Sequence, residues 1–373
     1  MTETAPPLLL EDALDFADLY DDEGLVKLDR AFLRFLGSAD PTLAASLTAA
    51  RAAPDSLATV AESALLLALA PHLDAFVARL FGIEPELKAA ADRHHELAPL
   101  YTCRRLFVQR RAAKAFTAEE AASFDGEALA GALSQRFGQE AFDPLRFAVT
   151  VLAWMEDEPA HAADLDLASR YAAWAVLSPA GRRLYPDDVL FRVPGKVEHQ
   201  SLVPQATIDL SGAPAAVTAA HHTLARDGFA LTDQGTDLAG ALSESSYCIL
   251  CHHQGRDSCS KGLKDKKTGA FTKNPLGVTI PGCPLEEKIS EMHEAKNEGL
   301  VIAALAIACI DNPMLAATGH RICNDCMKAC IYQKQDPVNI PQVETRVLKD
   351  VLALPWGFEL YSLLTRWNPL NVR

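Results

Sequence analysis

Tyr247-Cys248-Ile249-Leu250-Cys251-His252-His253-Gln254-Gly255-Arg256-Asp257-Ser258-Cys259 is the stretch from which this fold has to be read. With Cys283-Pro284 and Cys323-x2-Cys326-x3-Cys330 it places seven of the chain's nine cysteines in its last third. Thiolates gathered so closely serve as soft ligands for iron or zinc. The other two, Cys103 and Cys309, stand in apolar helical surroundings, and the sequence predicts that they pack in the core as small hydrophobes.

The compartment decides between ligand and disulfide. Met1 to Phe16 lacks a basic n-region, its apolar run stops at Leu8 to Leu10, and acids begin at Glu11, so no signal peptide is read and a cytoplasmic chain is expected. In a reducing compartment a dense cysteine set is metal-binding or redox-active before it is a disulfide framework. The most apolar stretch, Ala64 to Ala70, is short and meets Pro71, so no membrane span is expected. A formal net charge of −14 argues against a nucleic-acid partner. The length of 373 residues and 49% apolar content allow two folded parts with real cores.

Outward from the cysteines, the fold class reads as mainly α. Leu25, Leu28, Phe32 and Phe35 recur at helical spacing before Gly37, a C-cap signal, and Asp40-Pro41 supplies the next N-cap. Thr117 with Glu120 makes a capping-box signature and Thr59 with Glu62 a second. No alternating strand pattern stands out. Residues 1–200 are expected to form a helical domain of unknown role, and 201–240 a connecting segment. Helices are read there from Pro214 to about Arg226 and from Thr236 to Ser243. Residues 241–373 form the cysteine-rich domain.

Little else carries chemistry. The acids from Glu11 to Glu23, the basic run Arg104, Arg105, Arg110, Arg111 and Lys114, and the pair His221-His222 read as solvated surface. His94-His95-Glu96 and His293-Glu294 miss the HExxH spacing of metalloproteases.

Three readings of the cysteines compete. Cys248-x-x-Cys251-His252 is a haem c attachment string, but it leaves five cysteines unexplained and belongs outside the cytoplasm. A closed tetrahedral zinc site would use four cysteines and leave three, and a second would need a histidine such as His252, His253 or His320. The resulting alternative is a zinc-stabilised structural or interaction module without a redox role. Two close cysteines, a third a few residues on and a distant fourth next to proline is the ferredoxin-type pattern, in which paired iron–sulfur clusters exchange a ligand. Proximity alone would group Cys330 with Cys323, Cys326 and Cys283.

The succession Tyr247-Cys248-Ile249-Leu250-Cys251, Gly282-Cys283-Pro284-Leu285, Asn312-Pro313, Gly319-His320-Arg321-Ile322-Cys323, Cys326, Cys330 and Pro337-Val338-Asn339-Ile340 resembles the N-terminal iron–sulfur domain of the glutamate synthase small subunit, which also opens dihydropyrimidine dehydrogenase. The match covers roughly residues 245 to 355. The resemblance implies a helical domain with two [4Fe–4S] clusters and interleaved ligands. Cys248, Cys251, Cys259 and Cys330 would hold one cluster; Cys283, Cys323 and Cys326 would hold the other. Dihydropyrimidine dehydrogenase completes the second with a glutamine, to which Glu344 corresponds here. Lys261 to Lys273 adds a five-lysine segment, read as a solvated loop.

In the family this domain exchanges electrons with an FAD-binding Rossmann module. No G-x-G-x-x-G turn occurs in this sequence. FAD and NAD(P)H are therefore expected on a partner chain or a further domain, and the expected role is electron transfer within an NAD(P)H-linked oxidoreductase. No general acid, base or nucleophile is read from the sequence.

Overall fold

Leu28, Phe32 and Leu36 fall on one face of the helix Asp22–Ala39, and all three are fully buried in the computed structural model. That face is why the segment is helical in the folded chain: burial, more than propensity, stabilises an amphipathic helix. Asp21 caps it, accepting the Gly24 amide at 2.8 Å. Gly24 is obligatory there, since a Cβ would sit 2.1 Å from the Asp18 carbonyl oxygen. The expected stop at Gly37 is passed. The helix ends at Ala39, and Asp40 closes it while capping Pro41–Ala52 through the Leu43 amide at 2.9 Å.

The structure describes residues 14–186, 188–202, 205–218, 225–230 and 233–373. Helix makes up 62% and strand 5%, so the fold is mainly α, as the sequence indicates. Thr117 and Glu120 form their capping box, whereas Thr59 opens Thr59–Phe81 without capping it. That helix runs on through Pro71. It is 23 residues long and, by length and composition, among the described residues it alone could cross a membrane. In this structure Leu66, Leu69, Leu73, Val77 and Leu80 on it are core residues.

The core sits in two large clusters. One combines the helices of residues 22–103 with the C-terminal helices Val301–Asp311, Ile340–Leu352 and Gly357–Leu364. Phe32, Phe76 and Trp367 meet at its centre, with ring centroids 5.3 to 6.0 Å apart. The other lies within residues 97–191 and takes Leu242 from the helix Leu238–Tyr247. Segments on both sides of residue 240 thus share one core. Cys103 and Cys309 are buried in these cores.

Two expectations fail in the connecting region. Gln205–Leu210 pairs antiparallel with Ala213–Thr218, Leu210 opposite Ala213, so a hairpin stands where the sequence reads no strand and a helix from Pro214. Ser211 and Gly212 at its tip both have positive φ, 56° and 87°, as the tight two-residue turn requires. The hairpin is almost wholly exposed, so no buried face imposes the alternation by which strands are recognised. The second failure is register: the helix read over 236–243 spans Leu238–Tyr247, started by Asp237 accepting the Gly240 amide at 2.7 Å. His221 and His222 lie outside the described residues, as does the side chain of His320.

The basic run is not uniformly solvated. It lies on a π-helical stretch, Arg104–Ala112, where Arg104 is buried and donates to the Ser243 carbonyl at 2.9 Å and the Val189 carbonyl at 3.2 Å. Arg111 pairs with Glu158 at 2.8 Å, while Arg105, Arg110 and Lys114 are exposed. Asp18 likewise departs from the solvated reading: it is buried and bonded to Lys27 at 2.8 Å.

Candidate metal centre

The chain reverses between Cys248 and Cys251 because Leu250 takes a left-handed conformation, φ 53°, rare for a branched side chain. Its amide then points at Cys248 Sγ, 3.4 Å away. Cys251 opens a 3-10 turn, and Asp257 starts the short helix Ser258–Lys261 that carries Cys259. Cys330 follows the short helix Asp325–Ala329. These segments bring Cys248, Cys251, Cys259 and Cys330 to one cavity, closed by Tyr332, Val338, Ile340 and His293.

Burial pushes the Cys248 thiol up to about 12 and Cys251 to about 11, with the neighbouring sulfurs and Asp257 adding to the effect. Cys259, also bonded to Asp257 at 2.7 Å, is likewise raised, by burial first and by Asp257 next. Backbone amides oppose this rise. Those of Leu250, Ser258, Tyr332 and Val338 favour the thiolate forms of Cys248, Cys251 and Cys330. The arrangement is a largely buried pocket that disfavours bare thiolates yet aims N–H dipoles at the sulfurs. A coordinated cation reverses the first effect and is tuned by the second. Four sulfurs lining one cavity are the donor set that an iron–sulfur cluster takes, and among the described residues no three of them lie within 4.8 Å of one another, as ligands of a single ion would.

A second group adjoins the first. The Cys283 amide donates to the Cys259 carbonyl at 2.8 Å, and Cys283 and Cys326 pack into the same small apolar cluster as Cys259 and Cys330. Burial raises both thiols, Cys283 to about 11, and the charges of Glu344 and Glu287 raise both further. Glu344 is buried; burial and the charge of Glu287 push it up from the usual carboxylate range. Glu287 accepts Asn312 Nδ2 at 2.9 Å through one oxygen, and its other oxygen, Oε2, has no partner. Cys323 is exposed, its sulfur taking the Asp325 amide at 3.4 Å and lying against the Asp325 carboxylate. The structure therefore collects Cys283, Cys326 and Glu344, and leaves Cys323 at the surface. Cys330 stands with Cys248, Cys251 and Cys259, although it is nearer in sequence to Cys326.

Sequence reasoning missed Asp257, His293 and Glu287. Their signal is faint, because each is a common polar residue whose role depends on which face of a turn or helix it occupies. The lysine segment is exposed, and it is also folded: bridges Lys264 to Phe271 and Lys273 to Thr279 tie it into a short antiparallel excursion.

Fold and site together define a mainly helical protein with two adjoining cysteine groups. Over 301 residues, 77% of this chain and 98% of the relative, it is 34% identical to the uncharacterized protein RP005 of Rickettsia prowazekii (strain Madrid E), and the chain belongs to that family. Residues 10–82 match the RP005 N-terminal alpha-helical domain. A stretch of 59 residues, 16% of this chain, is 73% identical to the uncharacterized protein RP006 of the same organism, of which it makes up 8%. No solved structure matches.

Proposed function

We propose that the protein transfers electrons through two [4Fe–4S] centres, as a cytoplasmic component of an FAD- and NAD(P)H-linked oxidoreductase resembling the glutamate synthase small subunit. The observation that carries this reading is the cavity in which Cys248, Cys251, Cys259 and Cys330 converge from separate segments beneath backbone amides aimed at sulfur. Clusters of this kind, when bound, supply reversible one-electron chemistry.

The chain's own residues supply ligands, burial and field. All four residues of the first set line one cavity. In the second, Cys283, Cys326 and Glu344 lie together and Cys323 is the exposed member. Tyr332, Val338 and Ile340 line the first set with largely apolar surface, which lowers the local dielectric around the sulfurs. Amides near Cys330 and Cys248 stabilise negative charge there. FAD and NAD(P)H belong to a partner chain or further domain on this reading.

Iron and sulfide analysis of anaerobically purified protein tests the proposal. Brown protein with about eight iron and eight acid-labile sulfide per chain is expected for two [4Fe–4S] clusters. Colourless protein that stays without iron after reconstitution and carries stoichiometric zinc would make the cysteines a structural zinc site.

A further inference from the structure

Cys251 and His293 face the cysteine cavity, but the residues that follow them in sequence meet one another elsewhere. Nε2 of His252 and Nε2 of His253 lie 3.0 and 3.1 Å from the same atom, Oε2 of Glu294. The two rings are tilted by 41° with centroids 4.2 Å apart. His252 is only 4% exposed, and neither of its ring nitrogens makes a hydrogen bond; Glu294 Oε2 accepts none either. Distances are short and alignment is wrong for N–H donation. A buried imidazole without a hydrogen bond at either nitrogen is costly, and the Glu294 carboxylate beside it, though within ion-pairing distance, is not aligned to accept one.

A cation would supply the missing partner. Around tetrahedral zinc, with nitrogen and oxygen ligands at about 2.0–2.1 Å, ligand atoms stand roughly 3.3 Å apart. The present spacings fall a few tenths of an ångström short, an adjustment two side-chain rotations can make. Two imidazoles and one carboxylate are borderline donors that select transition ions over magnesium or calcium.

We propose that His252, His253 and Glu294 bind one divalent transition-metal ion, of which zinc is the type, in a site separate from the cysteines. Three protein ligands leave a position open, and the His253 side chain, 57% exposed, gives the ion a route from solvent. The ion ties the turn Cys251–Gln254 to the helix Ile289–Asn297.

The test uses the full chain after anaerobic iron–sulfide reconstitution and removal of loose metal, titrated with zinc and with cobalt. The parent is expected to take up one ion more than His253→Ala or Glu294→Gln, or to hold it at least ~10-fold more tightly, as loss of a ligand should cost no less than loss of an outer-shell partner. Zinc should raise the parent's melting temperature by more than that of either variant. The cobalt spectrum of the parent minus that of a variant should show weak ligand-field bands and no thiolate charge transfer. Metal on the cysteines contributes equally to parent and variants and cancels in that difference, so this site stands or falls apart from the iron–sulfur proposal. Equal stoichiometry and affinity in parent and both variants, or thiolate bands in the difference spectrum, overturns it.

Discussion

Asp74 shows how much a single residue can hold. It sits in the helix Thr59–Phe81, buried, and accepts the Ala303 amide at 2.6 Å at the start of the helix Val301–Asp311. Burial pushes its carboxyl up to about 7 from the ordinary 3.8, against the pull of the amides of Ala303, Ile302 and Val301. The folded state therefore binds a proton that the unfolded state has released between those values. Stability from this group is fully present below pH 3.8 and is lost as pH rises through about 7, by up to ~4 kcal/mol at roughly 1.4 kcal/mol per unit. Urea unfolding at several pH values should show that decline in the parent and a flatter curve in Asp74→Asn. At the cysteines, Cys330→Ser and Cys248→Ser should damage the same EPR signal and Cys283→Ser the other. If Cys330→Ser instead fails together with Cys283→Ser, the grouping seen in the cavity does not describe the clusters. Glu344→Cys should shift the potential of the cluster that Cys283→Ser damages and leave its neighbour nearly unchanged, since thiolate and carboxylate differ in softness.

Among the elements, legibility followed burial. Asp40-Pro41 and the Thr117 box were readable because capping is local chemistry, complete within four residues. The hairpin was not, since its strands bury nothing and its turn is Ser211-Gly212 in place of the stronger Asn-Gly signal. Pro71 misled for a different reason. Proline deletes one hydrogen bond and crowds the preceding turn, yet its ring is exposed here and the flanking leucines are buried deeply enough to hold the helix through it. Pro71→Ala should therefore stabilise the protein, by ~1–3 kcal/mol, by restoring the bond to the Leu67 carbonyl. A chemical-denaturation midpoint that stays put or falls would mean the proline is needed for packing.

On the scale of the whole molecule, the cysteine spacing made the candidate ligands legible, and helical periodicity the fold class. The sharing of one core between residues 14–90 and 292–372 was invisible, because contacts across 200 residues leave no mark on local pattern. Trp367 is the clearest case. Its ring packs on Phe32 and Phe76, and its indole N–H donates to Asp29 at 3.2 Å, an oxygen that Arg51 also holds. Trp367→Ala should cost ~3–5 kcal/mol, the usual penalty for emptying a large aromatic site, and the loss should appear in one cooperative unfolding step. Two separated transitions would show that the halves are independent after all.

This shared core also sets a timetable. At 5–20 residues per second, synthesis from residue 90 to Trp367 takes on the order of tens of seconds. Throughout that interval Leu28, Phe32, Leu69 and Phe76 wait for the partners that will cover them. The ribosome thus holds an apolar half-core open to chaperones, and to other nascent copies, until Val347 and Trp367 arrive. Cys330, the last of its four cysteines to be made, emerges in the same closing moments, so the cysteine cavity and the core are completed together.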